Sequence, residues 1–236
     1  MVFGEVLAGK SIIRQLENLE TGPNDKPVKD CVISDSGELT GSDYDNANTK
    51  LPDSTGDPYE DFPEDQKKGD AELTSAEIIS IATDLKSRGN DAFKKGDLDL
   101  GLSKYQKGLR YLHEYPEPLE NDPPETGAQL NTLKLTLHSN SALLQIKLKD
   151  FAAAEESASN ALAVEGIKDA EKGKALYRRA LARKGSRNED AAVADLEEAL
   201  KSVPEDKAIK GELAAVKKAA SDRAKKEKAA YSKFFS

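Results

Sequence analysis

The sequence predicts a mainly α-helical protein, an α-solenoid of three helical hairpins followed by a capping helix. From Ser75 onward, apolar residues recur at the spacing of one helix face, and clusters rich in Gly or Pro divide this pattern into segments of helix length. Hydrophobic residues make up 37% of the chain and charged residues 33%. The buried core must therefore be smaller than a length of 236 residues suggests.

Residues 1–39 precede the helical region and combine β-like and helical patterns. A β-like run at Val2–Leu7 is followed by a short amphipathic segment at Ser11–Leu19, and a second β-like run lies at Cys31–Ile33. Two strands and one helix cannot enclose a core of their own. We therefore expect this part of the chain to expose apolar side chains and open strand edges.

Residues 40–74 have the composition of an acidic linker. They are rich in Asp, Gly, Ser and Pro and contain few large apolar side chains. Such a segment cannot bury enough surface to offset the loss of chain entropy on folding. We therefore expect a flexible connection between residues 1–39 and the helical region.

The helical region, residues 75–206, fits the 34-residue frame of the tetratricopeptide repeat. Three frames, at about 82–115, 135–168 and 173–206, place small, apolar or aromatic residues where this repeat needs them for close helix packing. These residues are Leu85, Gly89, Ala92, Tyr105 and Gly108 in the first frame, Ala142, Phe151, Ala154 and Ala161 in the second, and Ala180, Ala192, Leu196, Ala199 and Pro204 in the third. Three hairpins in register predict a continuous core and a concave groove.

Residues 207–236 are predicted to form one further helix, which caps the stack. Apolar residues at Ile209, Leu213 and Val216 indicate the face that packs on the last hairpin. The end of this helix is basic and carries an aromatic cluster at Tyr231–Phe235. The aromatic residues either dock back onto the repeats or, together with the lysines, form a calmodulin-like contact for a partner.

Composition and motifs argue against several other classes of function. A net charge of −8 disfavours general nucleic-acid binding. The sequence contains no apolar run of about 18 residues and no recognisable signal peptide, so we expect a cytoplasmic protein without a membrane span. His113 and His138 lack ligand partners at helical spacing, and Cys31 is the single cysteine. Since no nucleophile motif or glycine-rich phosphate loop is present, we assign no metal, no cofactor and no catalytic residue.

Two separate stretches resemble the end of a cyclophilin prolyl-isomerase domain. They are Val2-Phe3-Gly4-Glu5-Val6 with the following Ile12-Ile13, and Ile33-Ser34-Asp35-Ser36-Gly37-Glu38-Leu39, in which Ser36 replaces the family's usual cysteine. With the acidic linker, the repeats and the basic tail, they resemble an N-terminally truncated forty-kilodalton cyclophilin of the peptidylprolyl-isomerase-D type. Residues 1–39 would then be the remnant of a cyclophilin β-barrel. The family's catalytic arginine and most of its proline pocket would lie upstream of Met1, so no catalytic residue is carried over.

The same resemblance implies a groove that clamps two carboxylates. Co-chaperone repeats of this kind hold the terminal carboxylate and the last Asp side chain of a Met-Glu-Glu-Val-Asp tail, through Lys and Asn four apart on the first helix, Asn on the third, and Lys and Arg four apart on the fifth. The matching residues here are Lys86, Asn90, Asn140, Lys174 and Arg178. Residues four apart share one helix face, so each pair projects into the same groove. Each charge-assisted hydrogen bond to a carboxylate is worth about 1.5 to 3 kcal/mol.

Three neighbouring residues, Phe93, Leu137 and Arg179, are candidates for the wall of this groove. The resemblance implies a co-chaperone adaptor in protein folding that binds the tail of the 90-kDa heat-shock protein or the similar tail of the 70-kDa protein. Two alternatives stay open. The full-length protein is an isomerase whose catalytic part is absent from this chain, which is then inactive by itself, or the chain is a scaffold for another partner of its basic C-terminal helix.

Overall fold

The computed structural model describes residues 4, 6, 9–46, 53–66, 72–115 and 117–234, and the side chains of all of these except residues 45–46, 224 and 226–234. The chain divides into two compact units, Met1–Glu72 and Leu73–Ser236. Within the described residues the regular structure is helical, and strand pairing is limited to one isolated bridge between Thr21 and Pro27. The predicted mainly α-helical class is confirmed.

The regular structure in the described residues of the first unit consists of short helices. They are α1 (Lys10–Glu17), a 3-10 turn (Pro23–Asp25), α2 (Ser42–Asn46) and α3 (Pro63–Gln66). Helix α1 confirms the short helix that was predicted after the first β-like run. None of the described helices in either unit combines the length and the apolar character needed to cross a membrane.

The strand predicted at Cys31–Ile33 is wrong. This stretch is irregular, and Val32 and Ile33 are 81% and 88% exposed. A β-branched run becomes a strand only when a neighbouring strand supplies hydrogen-bond partners and a surface to pack on. The other predicted strand, Val2–Leu7, lies mainly outside the described residues, and no remnant of a cyclophilin barrel is seen in the described part of residues 1–39.

Part of the segment predicted as a linker packs on α1. Arg14 donates to both carboxylate oxygens of Asp65, at 3.2 and 3.3 Å. The same guanidinium lies 5.0 Å from the centroid of the Phe62 ring. One arginine thereby joins α1 to the start of α3 through charge and through the face of an aromatic ring.

The second unit is a stack of three helical hairpins and a last helix. The helices of each hairpin contact one another, and α6 also contacts α4 and α8, the first helices of the two neighbouring hairpins. The last helix packs on α9. The bounds are α4 (Ser75–Lys94) and α5 (Leu98–Glu114), α6 (Thr126–Leu148) and α7 (Phe151–Leu162), α8 (Asp169–Gly185) and α9 (Glu189–Ser202), and α10 (Lys207–Phe234).

Side-chain caps start most of these helices. Thr74 and Glu77 form a reciprocal capping box at the start of α4. The second helix of each hairpin begins after a residue whose side-chain oxygen accepts the backbone N–H three positions later, and these residues are Asp97, Asp150 and Asn188. The turn before α5 passes through Gly96 at φ 86°, a backbone conformation that favours glycine.

Glycines at the frame positions allow close helix packing. A Cβ atom on Gly89 of α4 would lie 2.5 Å from Cε1 of Tyr105 on α5, and one on Gly108 of α5 would lie 3.0 Å from Cδ1 of Leu137 on α6. A Cβ atom on Gly185 would overlap the Phe151 ring. Helices can therefore approach closely both within a hairpin and between hairpins.

Helix α10 caps the stack as predicted. Ile209 and Val216 are buried in one cluster with apolar residues of α8 and α9. Around this cluster, Lys217 pairs with Glu197 at 2.7 Å and Arg223 pairs with Glu189 at 2.6 Å. The apolar cluster supplies most of the attachment, because exposed ion pairs contribute little.

Candidate peptide-binding groove

The five residues predicted to clamp carboxylates lie on the first helices of the three hairpins. Lys86 and Asn90 are on α4, Asn140 is on α6, and Lys174 and Arg178 are on α8. Lys174 is exposed and the other four are half-buried. Since α6 contacts both α4 and α8, these helices form one continuous surface.

Tyr105 of α5 brings three of these five residues together. Its side chain is 1% exposed, and its hydroxyl donates a hydrogen bond of 2.7 Å to Oδ1 of Asn90. The Asn140 side chain also hydrogen-bonds to this hydroxyl, and the Arg178 charge interacts with it. Burial raises the pKa of Tyr105, while the Arg178 charge and the Asn140 hydrogen bond act to lower that pKa. The hydroxyl is neutral and lies between side chains of three hairpins.

Arg178 is held by uncharged partners. Its Nη1 atom donates to the backbone carbonyl and to the hydroxyl of Ser139, which precedes Asn140 on α6. Burial lowers the pKa of Arg178, because the surrounding protein replaces water around the charge. No carboxylate among the described residues pairs with this guanidinium. Arg178 is therefore a fixed cation whose described partners carry no opposite charge.

Lys86 and Lys174 are the other two cationic residues of the predicted clamp. Neither Lys86 nor Lys174 makes an ion pair with any residue in the described part of the chain. Each precedes a second groove residue by four positions, which is about 6 Å along a helix. The predicted donor groups therefore lie at two positions along the helix axis, about one turn apart.

Two of the three predicted wall residues do not line the groove. Leu137 is fully buried and packs beside Gly108, so its side chain belongs to the core. Arg179 lies on another face of α8, where Nε and Nη2 donate to the two carboxylate oxygens of Asp195 at 2.9 and 2.7 Å. Phe93 is half-buried, and Nζ of Lys147 lies 5.8 Å from its ring centroid, so it stays a wall candidate.

The two histidines lie together at a separate cleft of about 910 Å³. The ring centroids of His113 and His138 are 6.2 Å apart. Burial, followed by the nearby His113 and Lys134, lowers the pKa of His138 to about 4. No group of three or more His, Cys, Asp or Glu residues in the described ranges is arranged to hold a metal ion.

No family model matches the chain. Over its full length, the chain is 38% identical to the peptidyl-prolyl cis-trans isomerase D of Mycosarcoma maydis and 36% identical to the protein of the same name from Kluyveromyces lactis. It spans 63% of the length of each. The expected resemblance to this type of cyclophilin is confirmed.

Structural comparison identifies the fold of the helical unit. The C-terminal TPR-containing domain of an FK506-binding protein from Plasmodium falciparum matches 65% of this chain and 97% of its own, with 24% identity and a TM-score of 0.57. The second unit is a tetratricopeptide-repeat domain. The first repeat domain of Spaghetti (RPAP3), solved with the HSP90 peptide SRMEEVD, matches 60% of this chain and 94% of its own, with 27% identity and a TM-score of 0.48.

Sequence reasoning missed the side chains that hold the predicted donors of this repeat domain in place. Tyr105 occupies a frame position where an aromatic ring packs between helices, and its hydroxyl reaches past that packing position to Asn90. Ser139 accepts from Arg178 across the boundary between two hairpins. A signal was present in the choice of Tyr instead of Phe, because a buried hydroxyl needs a partner.

Proposed function

We propose that the concave groove binds the acidic C-terminal tail of a 90-kDa heat-shock protein, ending in Met-Glu-Glu-Val-Asp, and that the chain is the adaptor part of a co-chaperone in protein folding. Lys86, Asn90, Asn140, Lys174 and Arg178 would hold the tail.

The observation that carries this proposal is that Arg178 is a half-buried cation whose hydrogen-bond partners are neutral. Burying a charge is unfavourable unless an opposite charge or hydrogen bonds compensate for it. Arg178 has the neutral oxygens of Ser139 and no described carboxylate, so its interaction with an incoming anion is not weakened by an internal one. An anionic ligand in the groove would supply the missing counter-charge.

The arrangement of donors favours a chain end over an internal acidic stretch. The C-terminal Asp of the tail carries two carboxylates on one residue. Asn90 and Arg178 lie one helical turn beyond Lys86 and Lys174, so the groove offers two levels of donors about 6 Å apart. Holding both carboxylates at once would distinguish a terminal Asp from an internal one.

Calorimetric titration with a Met-Glu-Glu-Val-Asp peptide tests the proposal. We expect micromolar affinity that weakens when the salt concentration is raised, because surface charges are screened. The peptide amidated at its C-terminus and the Lys174→Ala variant should each bind about tenfold more weakly. Lys172→Ala is the matched control, since Lys172 lies on the same helix but pairs with Glu198 at 3.1 Å.

Binding that is indifferent to amidation and to Lys174 would contradict the carboxylate clamp. A parallel titration with the tail of a 70-kDa heat-shock protein, which also ends in an acidic residue, measures the preference between the two chaperones. If neither tail binds, the basic end of α10 becomes the next segment to examine.

The name shared by the two relatives favours prolyl isomerisation as a second candidate function for a longer protein that contains this sequence. No residue of the present chain is assigned to that reaction. We expect the chain to leave the isomerisation rate of a proline-containing tetrapeptide unchanged in a protease-free assay, with the relative from Kluyveromyces lactis as positive control. An accelerated rate would contradict the prediction that the chain is inactive by itself.

A further inference from the structure

The buried hydroxyl group of Tyr105 interacts with several residues of the proposed clamp. Tyr105 is not itself among the residues predicted to touch a ligand, and its ring is enclosed by the packing of α4 against α5. Yet its hydroxyl donates to Asn90 and is hydrogen-bonded by Asn140, on two different hairpins. Packing alone would not require this oxygen, since a phenylalanine ring fills the same space.

The direction of these hydrogen bonds determines which atoms of the amides remain for a ligand. A tyrosine hydroxyl has one proton, and here that proton goes to Oδ1 of Asn90. The NH2 group of Asn90 is then turned away from Tyr105. The hydroxyl oxygen can only accept from Asn140, whose amide has two N–H donors, so one of them stays available.

Amide orientation matters because a carboxylate only accepts hydrogen bonds. An Asn that presents N–H groups attracts it, while an Asn rotated by half a turn presents an oxygen and repels it. The two orientations occupy almost the same volume, so shape does not select between them.

We infer that Tyr105 is a positioning residue that fixes the amides of Asn90 and Asn140 with their N–H groups available to the carboxylates of the bound tail. This inference rests on the proposed function for its ligand but not for the orientation of the amides. Tyr105 acts through the two asparagines and does not touch the tail.

The test compares Tyr105→Phe with the wild-type chain and with Tyr177→Phe. Tyr177, on α8, is half-buried, and the charges that act on its hydroxyl are those of Glu212, Asp206 and Lys184, none of which belongs to the predicted clamp. Fluorescence anisotropy with a labelled Met-Glu-Glu-Val-Asp peptide gives the affinity. We expect Tyr105→Phe to bind about fivefold more weakly, because the amides are no longer pre-organised, and Tyr177→Phe to bind as the wild type does.

Two further readouts separate positioning from a general loss of structure. In the Asn90→Ala, Asn140→Ala background, Tyr105→Phe should change affinity less than about twofold, because the groups through which it acts are gone. In the free protein, the NMR signals of the Asn90 and Asn140 side-chain amides should shift in Tyr105→Phe and stay in place in Tyr177→Phe.

The outcomes distinguish this inference from the proposed function. Wild-type affinity in Tyr105→Phe, or an equal loss with and without the asparagines, overturns the positioning role. If the wild-type chain does not bind the peptide, the proposed function fails. The amide signals of the free protein then decide by themselves whether Tyr105 positions the two asparagines. Unshifted signals would then reject the role of Tyr105, and shifted ones would support it.

Discussion

Arg178 and Arg179 are consecutive residues of α8, and they lie in opposite electrostatic surroundings. Arg179 lies on the side of α8 that is turned toward α9, here called the back face. There, Arg179 and Arg183 both donate to Asp195 of α9, a carboxylate whose side chain is 5% exposed. Arg178 lies on the side of α8 that is turned toward α6, where its partners are the neutral oxygens of Ser139. Hydrogen bonds to Asp195 raise the pKa of Arg179, whereas burial lowers the pKa of Arg178.

This difference separates stabilising charges from charges that are available to a ligand. On the back face, Glu155 of α7 and Asp195 of α9 neutralise Arg183 between them, and three helices are joined. On the side that carries the predicted clamp, no described acidic residue forms an ion pair with Arg178, Lys86 or Lys174. Substitutions on the two faces should therefore affect different measurements.

The largest effect is expected from Asp195→Asn on the back face. The change leaves Arg179 and Arg183 without their shared counter-charge in a mostly buried position, and breaking a buried pair in this way costs about 3 kcal/mol of the free energy of unfolding. Urea denaturation measures this loss. Glu197→Gln, which breaks the exposed pair with Lys217, is the control and should cost less than about 0.5 kcal/mol.

Affinity for the tail peptide should stay within twofold of wild type in Asp195→Asn, measured well below its unfolding transition. A tenfold loss of affinity with unchanged stability would mean that the back face takes part in binding, and the separation of the two faces would fail.

The next effect is expected from Arg178→Ala compared with Arg179→Ala. Arg178→Ala would remove the charge-assisted hydrogen bonds that we propose between this residue and the tail. The change should weaken binding by about 2 kcal/mol, with a smaller change in stability. Arg179→Ala should show the reverse, since its partner is internal. For each variant, calorimetry gives the affinity for the tail peptide and urea denaturation gives the free energy of unfolding. Equal effects of both variants on binding would contradict the assignment of the faces.

The smallest effect is expected from mild acid at His138, on a face of α6 that points away from Asn140. Its folded pKa of about 4 lies below the ordinary value of 6.5, so the unfolded state takes up the proton first as the pH falls. The contribution of His138 to stability is unchanged above pH 6.5 and declines between pH 6.5 and 4. From pH 7 to pH 5.5 the expected loss is about 1 kcal/mol.

Urea denaturation at both pH values measures this loss. The curve of His138→Gln, which lacks the titrating ring, should fall less between the same two values. A wild-type stability that stays level over this range would contradict the strong burial of the neutral imidazole.

Helices and their register were predictable because their signals are local. The Gly, Pro and Asp residues of the turns lie within a few positions of the helix ends, and small residues such as Gly89 mark the crossings. The prediction of a strand at Cys31–Ile33 failed because strand formation does not depend on local signals alone. A strand needs a pairing partner, which can lie anywhere in the chain, and residues 31–33 have none among the described residues.

The candidate groove was only partly predictable for a related reason. Spacing four apart places Lys86 with Asn90 and Lys174 with Arg178, since one helix face is a property of the sequence alone. Whether the Leu137 side chain faces the groove or the core depends on where α5 packs. Because Gly108 of α5 has no side chain, Leu137 can pack against that helix and belongs to the core. Whether the Tyr105 hydroxyl meets Asn90 and Asn140 depends on the relative positions of α4, α5 and α6.

The hydrogen bonds of Tyr105 and Arg178 cross from one hairpin to the next, so the groove exists only while neighbouring hairpins are in register. Solenoid repeats open in local units, and amide hydrogens exchange with water when they do. A tail held by residues of all three hairpins would have to leave before any one of them opened. Occupancy of the groove should therefore slow hydrogen exchange along the whole stack, including in helices that never touch the peptide.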